Sequence, residues 1–182
     1  PVKICRSSKK THKRNRVMIT EKQITKAVKE LCIKANIGLR NDVKLALKKA
    51  YKSESNSKAK YISKVIIENY QIAKREKIPI CQDTGITVVF VELGQDAKIK
   101  GNLTRAINSG VKQGYKQGYL RKSIVNDPIL RKNTGTNTPA IINIELVPGN
   151  KIKITVLPKG FGSENKSKIF ISPVSLSPGI IF

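Results

Sequence analysis

Several residue types on which common functional classes depend are scarce in this sequence of 182 residues. It has no tryptophan and only 5% aromatic residues, which leaves little for the stacking platforms of single-strand nucleic-acid binders. The single histidine, His12, lies in a basic N-terminal stretch, so Ser-His or Cys-His catalysis and histidine-ligated zinc have no internal candidate. No apolar run approaches the roughly 20 residues of a membrane span, and no secretory signal is visible. We therefore expect a cytoplasmic protein with no membrane partner.

Cysteine is also scarce. Cys5, Cys32 and Cys81 are an odd number at wide, irregular spacing, which fits neither a disulfide framework nor a zinc site. The spacing around Cys32 places it on the apolar face of a helix, so we expect it in the core. A metal site in this chain would need most of its ligands from elsewhere.

Acidic residues number 12 against 36 Lys and Arg, which gives a formal net charge of +24. Such a charge is typical of nucleic-acid binding, but only eight of the basic residues are Arg, the residue that most often reads bases. A lysine excess is often simply a solvated surface, so nucleic acid is not the partner we expect. Residues 1–17 carry seven basic residues and no acid. We predict a disordered basic tail there and one domain over 18–182.

Helical spacing dominates the first half of the chain, and short apolar runs typical of strands dominate the second. Thr20 and Gln23 form a potential capping box, and Asn41 is a candidate cap for a second helix. We predict helices over 20–36, 41–50, 61–73 and 103–118, and strands over 86–91, 140–147 and 151–157. The last two strands are predicted to pair as a hairpin through 148–150. The expected fold class is mixed α/β (α+β), with N-terminal helices followed by strands that carry the site loops.

Three polar clusters lie next to the predicted strands, where loops commonly build sites. The first, Cys81 to Gly85, combines a thiol, an amide, a carboxylate and a hydroxyl, although the spacing alone favours a buried cysteine beside an Asx turn. The second contains Arg121, which can form paired hydrogen bonds with a carboxylate or belong to a cationic surface loop. In the third, Gly160 and Gly162 allow main-chain N–H groups to approach an anion.

Taken in order, these clusters resemble the class I fumarate hydratase family, and more narrowly the α subunit of the two-subunit fumarase/tartrate dehydratase type. The resemblance covers about residue 18 to at least 165. Its motifs are Ile78-Pro79-Ile80-Cys81-Gln82-Asp83-Thr84-Gly85, Gly118-Tyr119-Leu120-Arg121-Lys122-Ser123, Arg131-Lys132-Asn133-Thr134-Gly135, Asn137-Thr138-Pro139-Ala140 and Lys159-Gly160-Phe161-Gly162-Ser163-Glu164-Asn165.

The resemblance implies a hydro-lyase that adds or removes water on a four-carbon dicarboxylate, either malate/fumarate in the tricarboxylic acid cycle or tartrate/oxaloacetate. It implies a four-iron four-sulfur (4Fe-4S) cluster held by three cysteines, with Cys81 as the first ligand. Gln82 and Asp83 would contact the dicarboxylate, with Asp83 as the catalytic candidate. Arg121 would bind a carboxylate, and the main chain at Gly162 would hydrogen-bond the substrate. The implied partner is a β subunit, in a heterodimer or heterotetramer.

Two positions depart from the family pattern. Phe161 stands where family loops carry a glycine, at a position that can require positive φ. No cysteine follows Cys81, whereas family members supply two further cluster ligands later in the chain. We therefore expect a domain that is incomplete at its C-terminal end and inactive in isolation. A basic nucleic-acid-binding module and an inactive fragment of the hydratase are the alternatives.

Overall fold

The computed structural model describes residues 18–162. The predicted basic tail at 1–17 and the part of the third cluster beyond Gly162 lie outside the described residues. The elements are β1 (Met18–Thr20), α1 (Glu21–Ile37), α2 (Asn41–Ser53), α3 (Ser57–Glu76), β2 (Ile86–Gly94), β3 (Lys98–Lys100), α4 (Leu103–Gln117), β4 (Ile141–Val147) and β5 (Ile152–Lys159). This confirms a mixed α/β fold in which three helices precede the main sheet, while α4 lies between its strands β2 and β4 in the chain. The short parallel pair of β1 and β3 was not predicted.

Helix α1 begins as its sequence predicts. The Thr20 side chain accepts from the Gln23 N–H at 3.3 Å, and the Gln23 side chain accepts from the Thr20 N–H at 2.9 Å, which completes the capping box. The predicted cap of α2 is wrong by one residue, because Asn41 is already helical and Arg40 precedes it without a side-chain cap.

Helices α1 and α4 pack closely against each other on one face of the main sheet. Val28 and Cys32 of α1 are fully buried, and they lie where a Cβ at Gly110 or Gly114 of α4 would press into them. These glycines allow the two backbones to approach, and Tyr115 follows directly in the buried seam. The packing thereby places the end of α4 beside the turn that precedes β2, where the Tyr115 OH donates to the Thr84 carbonyl at 2.8 Å.

The main sheet has the strand order β4-β2-β5, with β4 parallel and β5 antiparallel to β2. The predicted hairpin between the last two strands is therefore wrong, since β2 lies between them. The apolar run of β2 is paired along both edges, and its Val89 and Val91 are buried against the helices. The connection between β4 and β5 passes over the end of β2, where Gly94 N–H donates to the Lys151 carbonyl at 2.8 Å.

The antiparallel pairing of β5 with β2 brings the end of β5 back to the start of β2, with Lys159 opposite Ile86. The third predicted cluster thus arrives beside the first. No helix within residues 18–162 has the length and apolar character needed to cross a bilayer.

Candidate functional site

The segment that carries Cys81 leaves α3 and is tied to the helical layer on both sides. Ile80 N–H donates to the Asn36 carbonyl at 2.9 Å, and Asn69 Nδ2 donates to the Ile80 carbonyl at 2.9 Å. These bonds hold the residue immediately before Cys81. The Cys81 side chain is exposed and its thiol is free, so the buried-cysteine interpretation does not hold.

The other cysteine in the described range has a different environment. Cys32 is fully buried in α1, and burial raises the pKa of its thiol to about 12. It is therefore a neutral core residue at physiological pH, as its helical spacing predicted. Cys81 is the one exposed thiol among residues 18–162.

The turn after Cys81 is an Asx turn packed against the end of β5. Asp83 Oδ1 accepts from the Gly85 N–H at 3.1 Å, and Oδ2 accepts from the Gly162 N–H at 3.4 Å. Gly85 has a φ of 62°, and a Cβ there would overlap the Lys159 carbonyl. A glycine is required at this position both for its backbone conformation and for this close approach.

Phe161 does not distort the loop around Gly160 and Gly162. Its side chain is exposed, and its backbone is outside the left-handed region. A side chain at this position is therefore compatible with the observed loop, in which Gly162 N–H points toward Asp83.

The second cluster lies against the same turn. Thr84 is buried, and its Oγ1 donates to the Arg121 carbonyl at 2.6 Å. This bond fixes the Arg121 backbone, while the Arg121 side chain is exposed and makes no hydrogen bond or ion pair with any residue in 18–162. The Arg121 backbone is thus held against the turn that follows Cys81, and its side chain is exposed there.

Two side chains that were not among the predicted site residues, Tyr115 and Asn137, hold these loops together. Tyr115 OH donates to the Thr84 carbonyl at 2.8 Å, and burial raises the pKa of this phenol, which keeps it a donor. Asn137 lies in a quoted motif, but no role was predicted for it. Tyr115 could have been found from the sequence, because it lies at the end of the apolar face of a predicted helix and a buried hydroxyl needs a hydrogen-bond partner.

The described residues do not form a complete metal site. Within 18–162, no three His, Cys, Asp or Glu side chains come together as a possible ligand group. Cys81 could supply one thiolate to an iron-sulfur cluster, which cysteine ligands favour, but three such ligands are needed. The donor set of residues 18–162 does not by itself fit a 4Fe-4S cluster.

Comparisons with known proteins show which family this sequence resembles. Residues 25–180 match the family model described as fumarate hydratase (Fumerase). The chain is 39% identical over 155 residues to the putative L(+)-tartrate dehydratase subunit alpha of Methanocaldococcus jannaschii, covering 81% of this chain and 54% of that protein. It is 33% identical over 129 residues to the anaerobic class I fumarate hydratase of Escherichia coli, covering 69% of this chain and 24% of that protein.

A third relative matches a similar part of this chain. The chain is 30% identical over 148 residues to fumarate hydratase 1, mitochondrial, of Leishmania major, covering 76% of this chain and 27% of that protein. The chain thus spans about half the length of the archaeal relative and about a quarter of the other two.

Proposed function

Because the chain belongs to the class I fumarate hydratase family, we propose that it is the α-subunit part of a hydro-lyase acting on a four-carbon dicarboxylate. The reaction is the reversible addition of water to fumarate or the dehydration of tartrate. The proposal includes a β-type partner subunit, in line with the name of the archaeal relative.

One observation carries this proposal: three loops far apart in sequence meet around one turn. Asp83 contacts the loop at Gly162, and Thr84 holds the backbone of Arg121. The loops that carry the exposed Arg121 side chain, the Gly162 N–H and the exposed Cys81 thiol therefore meet at the same turn. These are the groups that the family resemblance assigns to substrate and cofactor.

The chemistry of these side chains suits a hydroxylated or unsaturated diacid. Arg121 can bind one carboxylate of the substrate through two parallel hydrogen bonds. The Gln82 amide is exposed and can donate to a carboxylate or a hydroxyl. The carboxylate of Asp83 already accepts two main-chain N–H groups, yet each oxygen keeps acceptor capacity for a substrate hydroxyl.

Water elimination needs a base at the carbon that loses a proton and an acid at the leaving hydroxyl. In this proposal Asp83 orients the hydroxyl end of the substrate, and the base comes from the β-type partner. We further propose that the complete enzyme uses a 4Fe-4S cluster, for which Cys81 gives one ligand; the further cysteine ligands would have to come from outside these 182 residues. When bound, such a cluster supplies an open iron as a Lewis acid.

The test compares two arginines of the same turn-rich region in a full-length version of the chain, assembled anaerobically with a β-type subunit. Arg121→Ala is expected to reduce kcat/KM for malate by roughly a hundredfold or more, because it removes a charge-assisted carboxylate contact. Arg131→Ala is the matched control, since Arg131 is also exposed but its backbone N–H donates to the Asp127 carbonyl rather than to the Cys81 turn. Equal losses from the two substitutions would remove this role from Arg121.

A nucleic-acid-binding module is a second candidate, and one surface favours it. A groove of about 490 Å³ between α2 and α3 is lined by Lys44, Lys48, Lys74 and Arg75. Such a surface would bind phosphates with a steep dependence on salt. Titration with duplex DNA and single-stranded RNA at several salt concentrations would exclude this candidate if the salt dependence were shallow.

A further inference from the structure

Three loops build the proposed site, and hydrogen bonds from a few side chains connect them. Thr84 Oγ1 reaches the Arg121 loop, and Tyr115 OH supports the Thr84 carbonyl from α4. The remaining connection comes from Asn137, which follows the turn-rich segment and precedes β4.

Asn137 bridges two of these loops with the two ends of one amide. Its Nδ2 donates to the Gly85 carbonyl at 3.1 Å, and its Oδ1 accepts from the Ser123 N–H at 2.7 Å. Asn137 is fully buried, so water cannot replace either bond. It therefore links the turn that follows Cys81 directly to the loop that carries Arg121.

The position is demanding for any other residue. The backbone of Asn137 has a φ of 58°, a left-handed conformation that asparagine tolerates better than most residues. The site also needs one donor and one acceptor from a short side chain, which is the chemistry of a primary amide. Aspartate lacks the donor when ionised, and glycine satisfies only the backbone.

We infer that Asn137 is a positioning residue that sets where the Arg121 guanidinium stands relative to Cys81 and Asp83. It does not touch the substrate, and it acts through the main chain at Gly85 and Ser123. The inference deepens the proposed function and rests on it for the ligand that Arg121 binds. Loss of the Asn137 bridge should loosen the Arg121 loop from the Cys81 turn while the helical layer stays folded.

The experiment measures how close the Arg121 loop stays to Cys81, in the full chain without any ligand. A nitroxide is attached to Cys81 in a Cys5→Ser background, where buried Cys32 remains unlabelled. Paramagnetic relaxation is then read at the amides of Arg121 and Ser123. Asn137→Gly removes the amide but permits the positive φ. Asn137→Asp keeps the acceptor for Ser123 and loses the donor to Gly85.

Both Asn137 substitutions are expected to lower or abolish the relaxation enhancement at these two amides. The enhancement at Asn36 should stay unchanged, because the bond between Ile80 and Asn36 does not involve Asn137. Asn133→Ala is the matched control. Asn133 bonds to the Lys122 carbonyl and the Gly135 N–H in the same region, but it does not reach the Cys81 turn.

Each outcome either supports or overturns the positioning role of Asn137. Unchanged enhancement in both Asn137 variants, or an equal loss in Asn133→Ala, would overturn the positioning role. Unfolding of both variants with no folded population would show a purely structural role and would also overturn it. As a second readout, fumarate binding should weaken about tenfold in Asn137→Gly, as expected for the loss of supporting buried hydrogen bonds. Absence of fumarate binding by the unmodified chain would count against the proposed function, while the relaxation data would still test Asn137.

Discussion

Position 85 offers a quantitative test of how the site loops meet, because two separable features of the structure require a glycine there. Its φ of 62° is unfavourable for a side chain, and a Cβ there would also overlap the Lys159 carbonyl. Gly135 has a similar φ of 69°, but a Cβ there would meet nothing within 4 Å. Alanine substitutions at the two glycines therefore share the backbone cost and differ only in the contact.

The expected magnitudes follow from this difference. A left-handed alanine costs about 1–2 kcal/mol, and the smaller entropy of the unfolded chain returns roughly 0.4–1 kcal/mol. Gly135→Ala should therefore lower the free energy of unfolding by about 1 kcal/mol or less. Gly85→Ala must in addition displace the backbone of β5, for which overpacking costs of about 1–3 kcal/mol are typical. Gly85→Ala should thus destabilise the chain by about 1–4 kcal/mol, which is about 1–3 kcal/mol more than Gly135→Ala.

Urea denaturation of the two variants and the unmodified chain, followed by far-UV circular dichroism, measures both free energies. Gly85→Ala should also weaken the contact between Asp83 and Gly162, which depends on the same approach of β5. If the two alanine variants lost the same stability within about 0.5 kcal/mol, the close packing of Gly85 against Lys159 would be refuted.

Three further predictions concern charge, thiols and metal. Hydrogen bonds from the Arg105 side chain and the Asn102 N–H lower the pKa of Glu21 below 4.5, so the stability that the ionised Glu21 contributes is present above that pH and is lost as the pH falls. The difference in unfolding free energy between the unmodified chain and Glu21→Gln should therefore shrink as urea titrations move from pH 7 toward pH 3. A difference that stays constant would contradict the ion pair. Iodoacetamide followed by peptide mass spectrometry should modify Cys81 in the folded chain and Cys32 only in urea, whereas rapid native modification of Cys32 would contradict its burial. Anaerobic reconstitution of the isolated chain should yield no stable cluster, because Cys81 is the one available thiolate among residues 18–162, and near-stoichiometric iron and sulfide would show this to be wrong.

The local features of the fold could be predicted because short-range patterns determine them. The side chains of Thr20 and Gln23 are three residues apart, and they form the capping box that their types predict. The stripe that includes Val28 and Cys32 is buried for the same reason. The parallel pair of β1 and β3 could not be predicted, since each strand has only three residues and neither has an apolar run.

The sequence did not show which strands of the main sheet pair with each other. A turn-like segment between β4 and β5 is typical of a hairpin, yet β2 inserts between the two strands. Its continuous apolar run is best buried with a partner on each edge, and no local signal shows which partners it takes. Likewise, motifs predicted the site segments, but only the fold shows that Tyr115 and Asn137 hold Thr84 and Gly85 in place.

The most direct measurement of the site is a titration of the isotope-labelled chain with fumarate, followed by amide and arginine side-chain NMR signals. We predict that the largest shifts fall on Gln82, Asp83, Arg121 and Gly162 together, with a common saturation curve. Shifts confined to the lysines of α2 and α3, with Arg121 unaffected, would contradict a dicarboxylate site built from these three loops.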